Sequence, residues 1–159
     1  MPAALQPGDK APDFSLPSDQ GETVGLADLS GRTVVLYFYP KDDTSGCTSE
    51  AKAFTALQDQ FDAAGAVVVG VSKDSVKSHG KFRQKHELSV RLGADVDGEV
   101  VQRYGVWVEK SMYGRKYMGI ERATFLIDGS GVLRRIWRKV SVTGHAEEVL
   151  AAARGLADK

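Results

Sequence analysis

Cys47 is the only cysteine of the chain. It follows the run Val34-Val35-Leu36-Tyr37-Phe38-Tyr39 and the loop Pro40-Lys41-Asp42-Asp43-Thr44-Ser45-Gly46. The β-branched and aromatic run stops at Pro40, and a helix-like pattern starts at or near Cys47. The thiol therefore falls at a strand-to-helix turn, in the first turn of a helix. Unpaired backbone N–H groups and the positive end of the helix dipole favour thiolate there. The thiolate is the nucleophilic form. An isolated intracellular cysteine is commonly an inert small hydrophobe, but the polar neighbours and the helix start give this one a case for reactivity.

Four other residues could take part. Pro40 fixes its own φ and biases Tyr39 toward extended geometry, so it ends the strand and lets the next loop fold over the thiol. A simple strand stop would explain it equally. Thr44 could cap the helix through its hydroxyl, or donate to and accept from a small polar substrate above the sulfur. Glu50 sits in the first helical turn, where the dipole favours a carboxylate, or could orient an arginine. Arg122 opens the run Arg122-Ala123-Thr124-Phe125-Leu126-Ile127. A guanidinium brought near the loop could favour the thiolate and bind a peroxide oxygen; the plain alternative is a solvated charge at a strand end. His79, His86 and His145 lack metal-ligand spacing and read as surface or cap residues. Asp128–Gly131 lacks a phosphate-loop pattern. Trp107, Tyr104, Phe125 and Trp137 read as core or pocket wall. No metal or cofactor is expected.

The elements that must position these residues can be read in outline. Phe14–Leu16 reads as a short edge strand ended by Pro17, and Thr33–Tyr39 as a strand buried on both faces. Ala51, Phe54, Leu57, Phe61 and Ala64 recur at helical spacing, predicting a helix over Thr48–Ala64 that stops at Gly65. Val67–Val71 reads as a second buried strand. Ser75 caps a helix running to about Glu87, with Val76, Phe82 and Leu88 on its apolar side. Val90–Leu92 reads as a strand and Gly98–Tyr104 as a short helix. Ala123–Ile127 and Val132–Trp137 form a hairpin across Asp128-Gly129-Ser130-Gly131. Ala146–Leu156 is a last amphipathic helix. The early βαβ units favour parallel neighbours in a central sheet, and the hairpin adds an antiparallel edge. The order predicts an α/β, thioredoxin-like fold, a central mixed sheet flanked by helices. Fold alone does not assign a function.

The chain has 159 residues, read as one domain over 1–159. Lys+Arg and Asp+Glu balance at 21 each, which argues against nucleic-acid or polybasic membrane binding. A single cysteine excludes an internal disulfide and fits a reducing compartment. The first ten residues lack a basic and then apolar leader, and no run approaches a membrane span. The expectation is a soluble cytoplasmic protein.

The segment Tyr37–Ala51, with Pro40, Thr44 and Cys47 at their spacing, resembles the active-site segment of peroxiredoxins, nearest the bacterioferritin comigratory protein or peroxiredoxin Q branch. Gly8-Asp9-Lys10-Ala11-Pro12-Asp13-Phe14 resembles the N-terminal signature of that family. Tyr104–Trp107 and Gly119–Asp128 resemble its C-terminal half. The resemblance spans essentially the whole chain. It implies that Cys47 is the peroxidatic cysteine, that Thr44 and Arg122 hydrogen-bond the peroxide and the thiolate, that Pro40 shields the site, and that Glu50 positions Arg122. It implies a thiol-dependent peroxidase acting on hydrogen peroxide, with organic hydroperoxides left open.

Two departures stand out. Many members of the branch carry a resolving cysteine five residues after the peroxidatic one, where this chain has Lys52. Others carry it in the next helix, where this chain has residues such as Phe82 and Arg83. A one-cysteine enzyme with an external thiol reductant follows: thioredoxin, glutaredoxin or a small thiol. Ser45 stands where the family often has proline, which implies a looser loop. A thioredoxin-type disulfide oxidoreductase would need a second cysteine at position 50, which is Glu50. The reading from another class is a non-catalytic redox sensor or chaperone that uses Cys47 as a switch. The branch resemblance suggests a monomer or weak homodimer.

Overall fold

A computed structural model of the chain describes residues 4–157; residues 1–3, part of the N-terminal stretch read as irregular and without a leader, lie outside it. The sheet grows around β3 (Thr33–Phe38). Its residues alternate between two apolar environments: Val34, Leu36 and Phe38 enter one core, while Val35, Tyr37 and the following Tyr39 enter the other. That two-sided burial is why the strand reads as an unbroken apolar run.

On one side β3 pairs in parallel with β4 (Ala66–Ser72), which pairs in parallel with β5 (Arg91–Ala94). On the other it pairs antiparallel with β8 (Ala123–Ile127), followed by β9 (Leu133–Trp137). The sheet order is β5-β4-β3-β8-β9, the expected thioredoxin-like mixed sheet with an antiparallel edge. One core is covered by α1 (Ser45–Ala56), α2 (Gln58–Ala63), α3 (Val76–His86) and α5 (His145–Ala157), through Phe54, Phe61, Phe82 and Val149. The other is closed by the small hairpin β1 (Ser15–Pro17) and β2 (Thr23–Gly25) and by α4 (Glu99–Arg103).

The helix expected over Thr48–Ala64 starts earlier and is interrupted. The Thr48 N–H donates to the Thr44 carbonyl at 2.8 Å, so Ser45 and Gly46 are helical rather than loop. The Leu57 N–H bonds back only three residues, to Phe54, and the tightened turn separates α1 from α2. Gly65, at φ +74°, ends the segment as expected. The first strand is shifted by one residue, and Pro17 lies inside it opposite Thr23. Val76, expected on an apolar face, is 36% exposed. Ser75 caps α3 as read, accepting from the Ser78 N–H at 3.1 Å.

The hairpin of β6 (Trp107–Met112) and β7 (Arg115–Ile120) was not legible in the sequence. Its strands are mostly half-buried or exposed, so they lack an alternating apolar signal. Its turn residues, Tyr113 and Gly114, both have positive φ (52° and 79°), as a tight two-residue hairpin turn requires.

The close packing of β3 on β4 gives a direct test. A Cβ on Gly70 would lie 2.6 Å from Cζ of Tyr37, whose ring stacks on Phe54 with centroids 4.8 Å apart. Gly70→Ala is expected to destabilise the protein by roughly 1–3 kcal/mol through overpacking, read as a lower urea midpoint; an unchanged midpoint would contradict this packing.

Candidate active site

The main strand delivers the chain to the site and a polar network holds the loop that follows. Tyr39 donates its N–H to the Val71 carbonyl at 3.1 Å, and Pro40 then turns away from the sheet. Asp42 is buried and fixes the loop. It accepts from the Tyr39 hydroxyl at 2.6 Å and the Ser78 hydroxyl at 2.8 Å, and lies 2.7 Å from Nδ1 of His79. Its own N–H donates to Asp74 at 2.8 Å. The other nitrogen of His79 lies 3.0 Å from the Gly93 carbonyl. Asp43 adds contacts to Lys85 and His86, each at 2.7 Å.

The histidines therefore correct the sequence reading. His79 is fully buried and clamps the loop to α3. His145 is buried too, at 2.8 Å from the Thr124 hydroxyl, and burial holds its imidazole below the ordinary value. The residues that satisfy these rings lie 14 to 40 positions away in sequence, so no local pattern announces them.

Cys47 is the third residue of α1 and only 1% exposed. Glu50 follows three residues later, on the same helix face and equally buried. Arg122 arrives from across the sheet. The pairing of Phe38 with Ala123 puts the start of β8 beside the end of β3, so the preceding Arg122 meets the loop and α1. Its Nη1 donates to Glu50 Oε1 at 2.8 Å, and its Nη2 donates to Cys47 Sγ at 3.4 Å. Cys47, Glu50 and Arg122 are thus brought together.

Thr44 and Pro40 sit at the margin. Thr44 is the residue before α1, but its hydroxyl donates to the Lys41 carbonyl at 2.8 Å and does not cap the helix; the capping reading is overturned by that bond. Pro40 is exposed and helps to wall a neighbouring cavity of about 340 Å³. Gly46 was not singled out in the sequence. A Cβ there would stand 3.0 Å from Arg122 Nη2, so the missing side chain makes room for the guanidinium.

The charges are unevenly satisfied. Burial pushes the Glu50 carboxyl up to about 7, against the pull of Arg122, and its Oε2 has no hydrogen-bond partner among the described residues. Burial also works against the charge of Arg122, but the negative charges of Glu50 and Cys47 outweigh it and hold Arg122 above its ordinary value. Burial, then the charge of Glu50, raises the Tyr37 hydroxyl, which also has no hydrogen-bond partner among the described residues.

A helical thiol held by a guanidinium, directly after the central strand of a thioredoxin-like sheet, defines a thiol-chemistry protein. The profile of the AhpC/TSA family matches residues 7–136. A bcp-type peroxiredoxin of Coxiella burnetii is 53% identical over 92% of this chain and 97% of its own length. Peroxiredoxin Bcp of Bacillus subtilis is 46% identical over 98% of this chain and 99% of its own. A structure of Xylella fastidiosa PrxQ superposes with a TM-score of 0.92 at 38% identity, covering 98% of this chain and 99% of that one. A structure of the Xanthomonas campestris bacterioferritin comigratory protein, described for its alkyl peroxide reduction activity, gives a TM-score of 0.86 at 44% identity over 91% and 92%. The chain belongs to the AhpC/TSA family of peroxiredoxins, in its bacterioferritin comigratory protein or peroxiredoxin Q branch.

Two outcomes test this geometry. Because Glu50 titrates higher in the folded chain than in the unfolded one, the folded state binds more protons between pH 4.5 and about 7. Its contribution is complete at low pH and is lost as pH rises to about 7, by roughly 3 kcal/mol. Urea unfolding of the parent should show that decline, and Glu50→Gln should flatten it; equal slopes would contradict the assignment. Gly46→Ala should displace the Arg122 guanidinium without changing any charge. It is expected to slow thiol oxidation by peroxide roughly tenfold, measured by stopped flow, and a parent-like rate would contradict the close fit.

Proposed function

We propose that the chain is a one-cysteine, thiol-dependent peroxidase acting on hydrogen peroxide and organic hydroperoxides through Cys47. The observation that carries this reading is the Arg122 Nη2 contact with Cys47 Sγ at 3.4 Å, made by a guanidinium whose other arm is fixed by Glu50. Such a donor stabilises negative charge on the sulfur before reaction and on a peroxide oxygen during it.

The Cys47 thiolate attacks one peroxide oxygen and the O–O bond breaks. The departing oxygen takes a proton and leaves as water or an alcohol, and Cys47 becomes a sulfenic acid. Thr44 gives its hydroxyl hydrogen to Lys41, so its oxygen keeps lone pairs to accept the peroxide O–H. Arg122 supplies donors to the reacting oxygens. Pro40 limits solvent at the mouth, and Glu50 acts as a positioning residue through Arg122. With a single cysteine in the chain, the sulfenic acid is returned to thiol by an external thiol: thioredoxin, glutaredoxin or a small thiol. The lack of a second cysteine also supports a reducing, cytoplasmic setting. We read residues 1–159 as one such domain, working as a monomer or weak homodimer.

Peroxide consumption by reduced protein with added thiol tests the reading, with intact-mass analysis of the product. Repeated turnover is expected, with none in Cys47→Ser. One oxidation event without turnover under any thiol would instead favour a switch.

A further inference from the structure

Next to Pro40, at the start of the loop that leads to Cys47, lies a cavity whose two lysines form no ion pair among the described residues. It measures about 340 Å³ and is walled by Pro40, Lys73, Trp107, Lys110, Tyr117 and Met118. Pro40 ties it to the loop before Cys47. Lys73 and Lys110 are both half-buried. Neither forms an ion pair with a carboxylate among the described residues. Lys73 holds its Nζ 4.3 Å from the centre of the Trp107 ring, an attraction that leaves its donors free for an anion. Lys110 senses both Arg122 and Cys47: burial and the Arg122 charge hold it below the ordinary lysine value, and the Cys47 and Glu121 charges act the other way. Glu121 itself is engaged by Arg138 at 2.6 Å. Two half-buried lysines on one cavity wall, Lys110 also repelled by Arg122, gain most from a negatively charged occupant.

We propose that this cavity is a carboxylate-binding subsite that docks an anionic, low-mass thiol as the reductant of oxidised Cys47. The proposal rests on the peroxidase reading and adds the class of its second substrate. Hydrogen peroxide is too small to need such a subsite, whereas an external thiol is required because the chain holds one cysteine. Cys47 is 1% exposed, so a slender thiol reaches it more readily than a folded partner. The same lysines favour the thiolate of the incoming reductant. That sulfur attacks Sγ of the sulfenic acid; the S–S bond forms, the S–O bond breaks, and the oxygen leaves as water with the reductant's proton. A second thiol then attacks the mixed disulfide, releases a symmetric disulfide and returns Cys47 to the thiolate, so two electrons and the matching protons pass from two thiols.

The test compares three small thiols: mercaptopropionate (anionic), mercaptoethanol (neutral) and cysteamine (cationic). Each is mixed with protein oxidised by one equivalent of peroxide, and reduction is followed by stopped flow in the parent and in Lys73→Gln/Lys110→Gln. The double variant is expected to lose about tenfold in rate with mercaptopropionate, to stay within about twofold with mercaptoethanol, and to lose none with cysteamine. Salt should erode the parent's preference for the anion. Equal losses with all three thiols, or no loss with the anionic one, would overturn the proposal. So would a loss confined to oxidation by a carboxylate-bearing hydroperoxide, which would give the subsite to the peroxide. The same series on Cys47 capped as a methyl disulfide needs no peroxide. A charge preference there, with no oxidation by peroxide, would uphold the subsite and sink the peroxidase reading alone.

Discussion

The guanidinium of Arg122 joins parts of the chain that are otherwise separate. One arm holds a buried carboxylate on α1 and the other reaches the thiol one helical turn earlier. Removing it would leave Glu50 buried with no partner, which costs far more than a surface ion pair contributes. The contact therefore couples stability to chemistry: the group that organises the thiol also satisfies the helix beneath it. It depends on strand register, since the pairing of β8 with β3 decides where Arg122 stands, and on Gly46, which leaves the space it fills.

The loop between β3 and α1 is held as firmly from the other side. Asp42 and His79 are both buried and meet at 2.7 Å, and Tyr39 and Ser78 complete the carboxylate's partners. Buried polar groups of this kind are tolerable only when satisfied, and then they fix one arrangement. The network pins the loop to the start of α3, so the thiol is bounded by two sets of directional contacts. One comes from β8 and the other from α3.

Much of this was written locally. The β3 run, the proline that ends it and the helix pattern after Cys47 located the thiol within α1. The hairpin of β8 and β9 and the last helix lie within a residue or two of the expected bounds, because a fully buried apolar strand beside a Gly-rich turn, and three-to-four-spaced apolar residues in the helix, leave a direct pattern. Glu50 and Arg122 were candidates on type and position, and the family resemblance implied that they pair. Their contact, 72 residues apart in sequence, came from sheet register. What stayed hidden was tertiary. His79 reads as a surface or cap residue because its partners, Tyr39 and Asp42 after β3 and Gly93 on β5, are distant in sequence. Gly46 carries no signal of its own, since its role is to be small. The β6–β7 hairpin was missed because partly exposed strands have no buried face to mark them, and with it went Lys110 and the wall of the neighbouring cavity.

On the proposed function, the forked geometry of Arg122, beyond its charge, makes Cys47 reactive toward peroxide. Arg122→Lys keeps the charge but cannot reach Glu50 and Cys47 together with fixed donors. The decisive measurement is the second-order rate of Cys47 oxidation by hydrogen peroxide, without reductant, in this variant and the parent. A loss of about a hundredfold or more is expected. A rate within a factor of about two of the parent would mean that charge alone suffices, and would contradict that role of the fork.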